Sequence, residues 1–503
     1  MPETRSLPPR NLLITSGAIA LLFWICAAAR HALLQSNAYD LGLFDQWIWL
    51  VSRGLPPISS MEGVHMLADH GAWALYGAAV PYRVMGSVQW LLASQAAALS
   101  FTALPLWWLG RQAGLSPKLC WLACGLWWLQ PVVFNANLFD FHPEVWVMPA
   151  LAGCFWASRA ERPWLWFALL LLLLGCRDGL VLVVAGLGIE QALRRRWIWA
   201  GAAIGLALGW LALLNRWLYP LLKGSDAGPK AAGKLFSYLG DSLDQVLLNM
   251  LTRPDLLLKH VDWAGGLVYL LLISVAVAPF WRKVSLPVLT SAIPLVLVNV
   301  LSEEAPQRTL VHHYSLPVAV IAVVAAIDGL ALQPRQPVPW RRFGWSVVCW
   351  AALAKPWFFT GPYLERVDQL PAAREAIAAV PAEARLSTTS YLVPQLSQRQ
   401  QVSVPRARRD KIQLAELDAL LLNPRDPGWG SSRQRQQQLL REAKAAGWRC
   451  RRWANGLELC QAPQRSAEPQ AGSLSKTMPP KGAADAGSPG ALAGSALARN
   501  RMI

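Results

Sequence analysis

Long apolar runs constrain the fold of this 503-residue chain more than any other sequence feature. A helix needs about 20 mainly apolar residues to cross a bilayer. Candidate runs lie at 12–30, 88–109, 119–138, 144–158, 163–176, 179–193, 197–218, 263–281, 284–301, 314–333 and 343–359. Charged residues make up only 15% of the chain and hydrophobic residues 54%, a composition that excludes an ordinary soluble protein. The sequence therefore predicts an all-α polytopic membrane protein with about 11 transmembrane helices.

Basic residues in the short connections predict how these spans are oriented. With residues 1–11 in the cytoplasm, Arg and Lys fall in alternate connections, as the positive-inside rule requires. These residues are Arg111, Lys118, Arg159, Arg162, Arg194, Arg195, Arg196, Arg282, Lys283, Arg335, Arg341 and Arg342. Membrane orientation thus accounts for the net charge of +17, and nucleic acid is not expected as a partner.

The segment 163–193 decides the span count, because it forms either a hairpin of two spans or one long helix. One uninterrupted helix would place Arg159 and Arg194 on opposite sides of the membrane. The positive-inside rule therefore favours the hairpin, with a turn at Cys176–Gly179.

Two long connections fall on the extracytoplasmic side, at 35–87 and 219–262. Apolar residues recur at helical spacing over 44–51 in the first and over 236–250 in the second, which ends before Pro254. Both patterns predict helices that either lie along the membrane interface or pack inside the protein. Together with the spans, they make 12–359 the predicted transmembrane domain.

The composition changes to that of a soluble domain after Phe359. Residues 360–462 predict a small α/β domain, which an odd number of spans places outside the cytoplasm. Its expected helices are 365–380 and Arg433–Ala446, its strands Arg385–Ser390, Gln401–Val404 and Leu417–Leu422, and its hairpin crosses 453–456. The tail, 463–503, is rich in Ala, Gly, Ser and Pro and is expected to be disordered.

The eight cysteines lack the paired spacing of a metal site. Cys450 and Cys460 flank the expected hairpin. A three-residue loop would place them directly opposite each other, where they can form a disulfide in an oxidising compartment. A two-residue Asn-Gly turn would shift the register and separate them.

Ionisable residues gather at the extracytoplasmic ends of the spans and form the candidate site, since such residues at membrane depth mark functional surfaces. The candidates are Asp40, Asp45, His70, Asp140, His142, Glu144, Arg177, Asp178, His312, His313 and Tyr314. Each also has a structural interpretation. Asp40, for example, can cap the helix that follows it, and Asp140 and His142 can hold a bent span end.

Short motifs carry a resemblance to a known family. They are Tyr39–Trp47 (YDLGLFDQW), Asp69–Gly71, Phe139–Glu144 (FDFHPE), Arg177–Gly179, Tyr238–Gly240 and His313–Ser315. Over about residues 12–460 the chain resembles a bacterial family of predicted multi-pass membrane proteins, classified as a domain of unknown function. The family leads us to expect an acidic pair near 177–178, where this chain has Arg177-Asp178. That family looks like the GT-C glycosyltransferases, which take a sugar from a polyprenyl-phosphate carrier at the outer membrane face.

The resemblance implies a GT-C-like core in which Asp40 or Asp45 is the catalytic base. Asp40 is favoured because it directly follows the first span, and Asp45 would then orient Asp40 or the acceptor. Such transfer needs a carboxylate to accept the acceptor's proton and cations to stabilise the departing phosphate, for which Arg177, His312 and His313 are the candidates. His142 and Glu144 would bind the acceptor or a divalent cation. No spacing demands a metal, so the cofactor is left unknown.

The expected function is transfer of a sugar from a polyprenyl-phosphate carrier to an extracytoplasmic acceptor in the bacterial plasma membrane. Its expected partners are membrane lipid and the polyprenyl-phosphate-linked sugar. Two alternatives remain open. One is a transporter or flippase for a lipid-linked or small anionic substrate, and the other is a non-catalytic membrane scaffold.

Overall fold

The computed structural model describes residues 8–223, 235–406 and 413–463. The expected disordered tail lies outside these residues except for its first position, and so does most of the expected cytoplasmic N-terminus. The helices of the membrane region are Arg10–Ala32, Leu43–Ser52, Met66–His70, Leu75–Val84, Gln89–Phe101, Ala103–Gln112, Pro117–Trp128, Pro131–Leu138, Met148–Arg159, Pro163–Leu174, Val181–Leu193, Trp197–Leu213, Tyr219–Lys223, Leu243–Thr252, Pro254–His260, Trp263–Ser274, Leu286–Thr290, Ile293–Leu301, Leu316–Leu330 and Trp340–Leu353.

Four helical stretches of the described chain are long and apolar enough to cross a membrane. They are Arg10–Ala32, Gln89–Gln112, Trp197–Lys223 and His313–Leu330. Three bent pairs raise the number to as many as seven: Pro117–Trp128 with Pro131–Leu138 (45°), Pro254–His260 with Trp263–Ser274 (74°), and Lys283–Thr290 with Ile293–Leu301 (66°). A proline in the first turn of the second helix, as at Pro131 and Pro294, favours such a restart, because proline has no N–H to continue the first helix.

The remaining predicted spans form shorter helices. Those within or near 144–158, 163–176, 179–193 and 343–359 contain 12, 12, 13 and 14 residues. These lengths fall below the roughly 20 residues of a perpendicular span. The count of eleven therefore stays a prediction, while the membrane class rests on the longer apolar helices.

A cluster of ion pairs ties three helices together at one end of the bundle. Arg159 donates to both carboxylate oxygens of Asp328, at 2.6 and 3.0 Å. Arg194 donates to the same carboxylate at 3.4 Å and also to Glu190. Because Arg159 and Arg194 reach one carboxylate, they lie at the same end. Residues 163–193 are therefore two helices joined by a turn, as the charge pattern favours.

The helix in the first long connection packs inside the protein. It runs from Leu43 to Ser52, and its apolar residues Phe44, Trp47 and Ile48 are buried against protein rather than exposed to lipid. The sequence left open whether this helix lies along the membrane interface or packs inside the protein, and in the structure it packs inside the protein.

The second long connection differs from its expected single helix. A 3₁₀ turn at Ser237–Leu239 ends at Gly240, whose φ of 140° is accessible to glycine. The helix begins only after Ser242, whose hydroxyl accepts a hydrogen bond from the backbone N–H of Gln245. The helix predicted over 236–250 is therefore wrong in its first turns. Leu248 and Leu251 on the observed helix are exposed, as a helix lying against lipid requires.

The C-terminal segment folds into a five-stranded sheet. The strands are β1 (Leu386–Thr388), β2 (Val402–Ser403), β3 (Ala419–Leu422), β4 (Arg449–Arg452) and β5 (Glu458–Gln461), in the order β2-β1-β3-β5-β4. The strand β1 pairs in parallel with β2 and β3, whereas β5 pairs antiparallel with β3 and β4. The helices Leu370–Ala378 and Arg433–Ala445 complete the small α/β domain expected from the sequence.

The two faces of this sheet have different neighbours. Leu420 and Leu422 pack against Leu439 and Leu440 of the Arg433–Ala445 helix. Leu421, which points to the opposite face, belongs to the core that includes the first long connection. The soluble domain is thus attached through its own core to the segment that follows the first membrane helix.

The β4–β5 hairpin has the register that a three-residue loop predicts. Cys450 lies opposite Cys460, and the backbone N–H of Trp453 donates to the carbonyl of Leu457 at 2.9 Å. The two cysteines form a disulfide with an S–S distance of 2.03 Å.

Candidate functional site

Asp40 and His142 form the central contact of a cavity at the end of the bundle opposite Arg159 and Asp328. Asp40 lies in a π-helical turn, Ala38–Gly42, and its Oδ1 is 3.2 Å from Nε2 of His142. It does not cap the helix that follows, whose first residue is preceded by Gly42 and has no side-chain cap. Burial disfavours the ionised form, but the hydrogen bond and charge of His142 outweigh it and hold the pKa of Asp40 below its ordinary value. Asp40 is therefore a carboxylate at neutral pH.

Asp140 holds the chain corner that carries His142. Its carboxylate accepts hydrogen bonds from Arg30 at 2.5 Å and from the backbone N–H of Asn37 at 2.8 Å. Its φ of 57° is left-handed, a conformation that a non-glycine residue keeps only where its surroundings fix it. Gln95 supplies that support: its Nε2 donates to the carbonyl of Asp140 at 2.6 Å and its Oε1 accepts from the backbone N–H of His142 at 3.0 Å. Asp140 is a positioning residue here.

Glu144, Arg177 and His313 form a second group beside the first. Glu144 accepts a hydrogen bond from Arg177, and its Oε1 lies 2.7 Å from Nε2 of His313. The rings of His313 and His142 stack with their centroids 3.7 Å apart. Within the described chain, Oε2 of Glu144 and Nδ1 of both histidines are buried without a hydrogen-bond partner. Such atoms are costly in a folded protein, so a polar ligand that pairs with them is favoured.

Two aromatic contacts extend this group. Arg177 lies over the ring of Tyr314, 5.7 Å from its centroid. His312 meets Phe139 edge-on at 4.3 Å and shares a hydrogen bond of 2.7 Å with Thr309. Burial lowers the pKa of His312 to about 4, so this histidine is neutral and is a hydrogen-bonding group rather than a cation.

A third group joins the first long connection to Asp178. His70 lies 3.0 Å from Asp69 and 3.7 Å from Asp178, and Asp178 accepts a hydrogen bond of 2.8 Å from Tyr219. Burial opposes protonation of His70, but the carboxylate of Asp69 outweighs it and raises the pKa of His70 to about 9. His70 is therefore cationic at neutral pH.

These groups surround one cavity of about 560 Å³. The residues predicted from the sequence that line it are Asp40, His70, His142, Glu144, Arg177, Asp178, His312, His313 and Tyr314. Apolar side chains such as Leu182, Leu295 and Val298 form another part of the wall. The cavity therefore suits a ligand with a polar head and an apolar tail.

Asp45 is not among the residues that line this cavity. Its carboxylate accepts hydrogen bonds from Tyr82 at 2.7 Å, Ser397 at 2.6 Å and Gln398 at 3.1 Å. Asp45 thus fastens the soluble domain to the first long connection, and the two carboxylates of the Tyr39–Trp47 motif have different surroundings.

Several residues of the site were not anticipated from the sequence. Arg30 and Gln95 are polar residues in otherwise apolar spans, and that was a usable signal. Lys223 and Trp429 also line the cavity, and Trp429 comes from the soluble domain, where it meets Tyr39 edge-on at 5.4 Å. No local sequence pattern marks these two.

Metal-ligand spacing occurs at one place in the described residues, at Cys450, Glu458 and Cys460. The two cysteines there are joined in the disulfide, so their sulfurs are not thiolate ligands. The carboxylates and histidines of the cavity do not meet that spacing within the described chain.

The apolar helices and the cavity lined by ionisable residues at one end define a membrane protein with a polar site at one end of its helical bundle. The chain belongs to the DUF2079 family of predicted membrane proteins, whose model matches residues 30–459. This confirms the family expected from the Tyr39–Trp47 and Phe139–Glu144 motifs.

No curated protein matches the chain. Among solved structures, the chain is similar to ArnT from Cupriavidus metallidurans, whose crystal structure was obtained bound to undecaprenyl phosphate. The identity is 14% and the TM-score 0.49, over 92% of this chain and 100% of the ArnT chain. A likeness of this size does not assign an activity.

Proposed function

We propose that this protein transfers a sugar from a polyprenyl-phosphate carrier to an acceptor outside the cytoplasm. The observation that carries the proposal is the hydrogen-bonded pair of Asp40 and His142 in a cavity that also presents cations and an apolar wall. The carboxylate can act as the base, the cations can stabilise the leaving phosphate, and the apolar wall can contact the prenyl chain.

In the proposed reaction, the acceptor hydroxyl loses its proton to Asp40 as its oxygen bonds to the anomeric carbon of the sugar. The bond between that carbon and the phosphate oxygen breaks, and the electron pair leaves with the lipid phosphate. His142 orients Asp40 through the 3.2 Å contact and is a positioning residue. Arg177 and Lys223 stabilise the leaving phosphate, since a guanidinium keeps further N–H donors after it pairs with Glu144.

The proposed orientation places the cavity on the extracytoplasmic side of the bacterial plasma membrane, with the N-terminus in the cytoplasm. Two contacts support one common side for the cavity and the soluble domain: Asp45 with Ser397, and Tyr39 with Trp429. The basic residues Arg159 and Arg194 meet at the other end, as cytoplasmic connections would. Reporter fusions at Arg195 and Gly428 test this orientation, and we expect the first to be cytoplasmic and the second extracytoplasmic.

The test of the activity compares Asp40→Asn with Asp45→Asn and Asp255→Asn in membranes that contain equal amounts of each variant. Asp255 is exposed and pairs with Arg253, away from the cavity lining, so it controls for loss of a carboxylate as such. Transfer of radiolabelled sugar from a polyprenyl-phosphate pool should fall about 10²–10⁴-fold for Asp40→Asn. The other two variants should stay within a few-fold of the unchanged protein. Full activity of Asp40→Asn would refute the catalytic assignment.

Transport of a lipid-linked or small anionic substrate is a second candidate, favoured by the three bent helix pairs. Broken helices line substrate sites in many transporters. Reconstituted vesicles distinguish the two: a transporter moves the labelled lipid across the membrane with its sugar still attached. A scaffold would show neither activity and would tolerate Asp40→Asn.

A further inference from the structure

A basic groove of about 490 Å³ lies on the soluble domain, apart from the cavity. One wall is the Arg433–Ala445 helix, which contributes Arg433, Arg441 and Lys444 at helical spacing. The other wall is the β4–β5 hairpin with Arg452, and Arg425 closes one end. Five cations therefore line the groove, against the single carboxylate of Glu458.

The carboxylate is already neutralised, since Glu458 pairs with Lys444. Other contacts fix the cations in place: Arg433 donates to the carbonyl of Pro424 at 3.2 Å, and Arg425 to that of Ala454 at 3.1 Å. Each of these bonds uses one of the five N–H donors that a guanidinium has. The groove is therefore held open by its own contacts and keeps an excess of donors.

Arg441 and Arg452 line the groove from its two walls. In the described chain, neither guanidinium has a hydrogen bond or an ion pair. Two arginines held apart on rigid elements can each bind an anionic group in the bidentate manner that suits phosphate. The volume exceeds what a single phosphate fills, so the geometry fits two or more anionic groups on one ligand.

The groove is connected to the cavity by one short loop. Arg425 lines the groove and Trp429 lines the cavity, and four residues of extended chain span at most about 14 Å. A ligand held by the groove is thus close to the part of the cavity that Trp429 lines.

We propose that this groove binds an acceptor that carries two or more phosphate groups. That the ligand is an acceptor rests on the proposed transfer reaction, but its binding to the groove does not depend on catalysis. A membrane surface is the less suitable partner, because the lining includes no aromatic side chain that could enter lipid.

The experiment uses the full chain in nanodiscs of neutral lipid and a fluorescent hexasaccharide bearing two phosphates, with binding followed by anisotropy. The variant Arg441→Gln with Arg452→Gln should weaken binding about tenfold or more, because each arginine loses charge-assisted bonds. The control is Arg374→Gln with Arg449→Gln, which removes the same charge from residues outside the groove lining and should change affinity less than about twofold.

The same probe without phosphate should bind weakly to the unchanged protein. Equal binding of both probes, or equal loss in the control variant, would overturn the proposal. Binding that appears only when anionic lipid is added to the nanodisc would also overturn it in favour of a membrane surface. Asp40→Asn should bind the probe normally, so a failure of the transfer reaction and a failure of the groove are seen separately.

Discussion

The two ends of the helical bundle use the same residue types in different ways. At the end that carries Asp328, both oxygens of that carboxylate accept hydrogen bonds from arginine, and both oxygens of Glu190 have partners as well. At the cavity end, Glu144 uses one oxygen for Arg177 and His313 while the other is buried without a partner in the described chain. Carboxylates saturated by their own protein indicate a structural tie, whereas an incompletely paired carboxylate on a cavity indicates a ligand site.

The comparison predicts that arginines at the two ends differ in their effect on rate. Arg177→Gln should lower sugar transfer about 10²–10³-fold, because a donor to the developing phosphate charge is lost. Arg159→Gln removes the same charge at the other end and should leave the rate per folded molecule unchanged. Single-turnover transfer, normalised to monodisperse protein, measures both. Equal losses would mean that the two ends are not distinguished by function.

The effects on stability should be the reverse of the effects on rate, so that changes at the Asp328 end destabilise the fold without slowing transfer. Asp328→Asn leaves Arg159 and Arg194 without their shared carboxylate, and the loss of these partly buried, charge-assisted hydrogen bonds should cost about 2–3 kcal/mol of unfolding free energy. A drop in the melting temperature of detergent-solubilised protein, followed by tryptophan fluorescence, would report it. The rate of the molecules that remain folded should be that of the unchanged protein. An unaltered melting temperature would show that the cluster is not a tie.

The disulfide tests the compartment of the cavity end, to which the soluble domain is attached. Protein isolated without reductant should give a Cys450–Cys460 peptide by mass mapping. Replacing both cysteines by alanine should cost about 3 kcal/mol, because the closed loop of 10 residues no longer restricts the unfolded chain. Two alkylatable thiols at these positions in freshly isolated protein would place the domain in a reducing compartment.

Features that depend on residues close together in the sequence could be predicted from it. The arginines beside 163–193 indicated the hairpin, because the charge rule acts on each connection separately, and the Arg159–Asp328–Arg194 contacts agree with it. The register of Cys450 and Cys460 followed from the length of one loop. The start of the helix at Leu243 was missed, since the backbone freedom of Gly240 outweighed an apolar spacing that continued through it.

Contacts between segments that are distant in the sequence could not be predicted from it. Asp40 and Asp45 lie in one motif and were assigned together, yet Asp40 meets His142 and Asp45 meets Ser397, 352 residues away. Asp140 and His142 were likewise grouped, although only His142 lines the cavity. Spacing within a motif cannot tell which side chain turns toward a cavity, because that depends on partners elsewhere in the chain.

Asp45 is a carboxylate at the cavity end whose hydrogen-bond partners in the described chain, Tyr82, Ser397 and Gln398, are all uncharged. Burial raises the pKa of Asp45 to about 6, although hydrogen bonds from Ser397, Tyr82 and Gln398 oppose the change. The folded protein therefore binds this proton more tightly than the unfolded chain, in which the pKa of Asp is about 4. The resulting stability is fully present below about pH 4 and is lost as the pH rises through about 6.

The size of this effect is on the order of 3 kcal/mol, since each unit of pKa difference corresponds to about 1.4 kcal/mol. Asp45→Asn resembles the protonated side chain and should abolish this part of the pH dependence. Melting temperatures of the two proteins should agree near pH 4, and the unchanged protein should melt lower than the variant above about pH 6. If the unchanged protein instead gained stability relative to the variant as the pH rose, a cation would have to lie beside Asp45. Asp45 would then resemble Asp328, the arginine-paired carboxylate at the opposite end of the bundle.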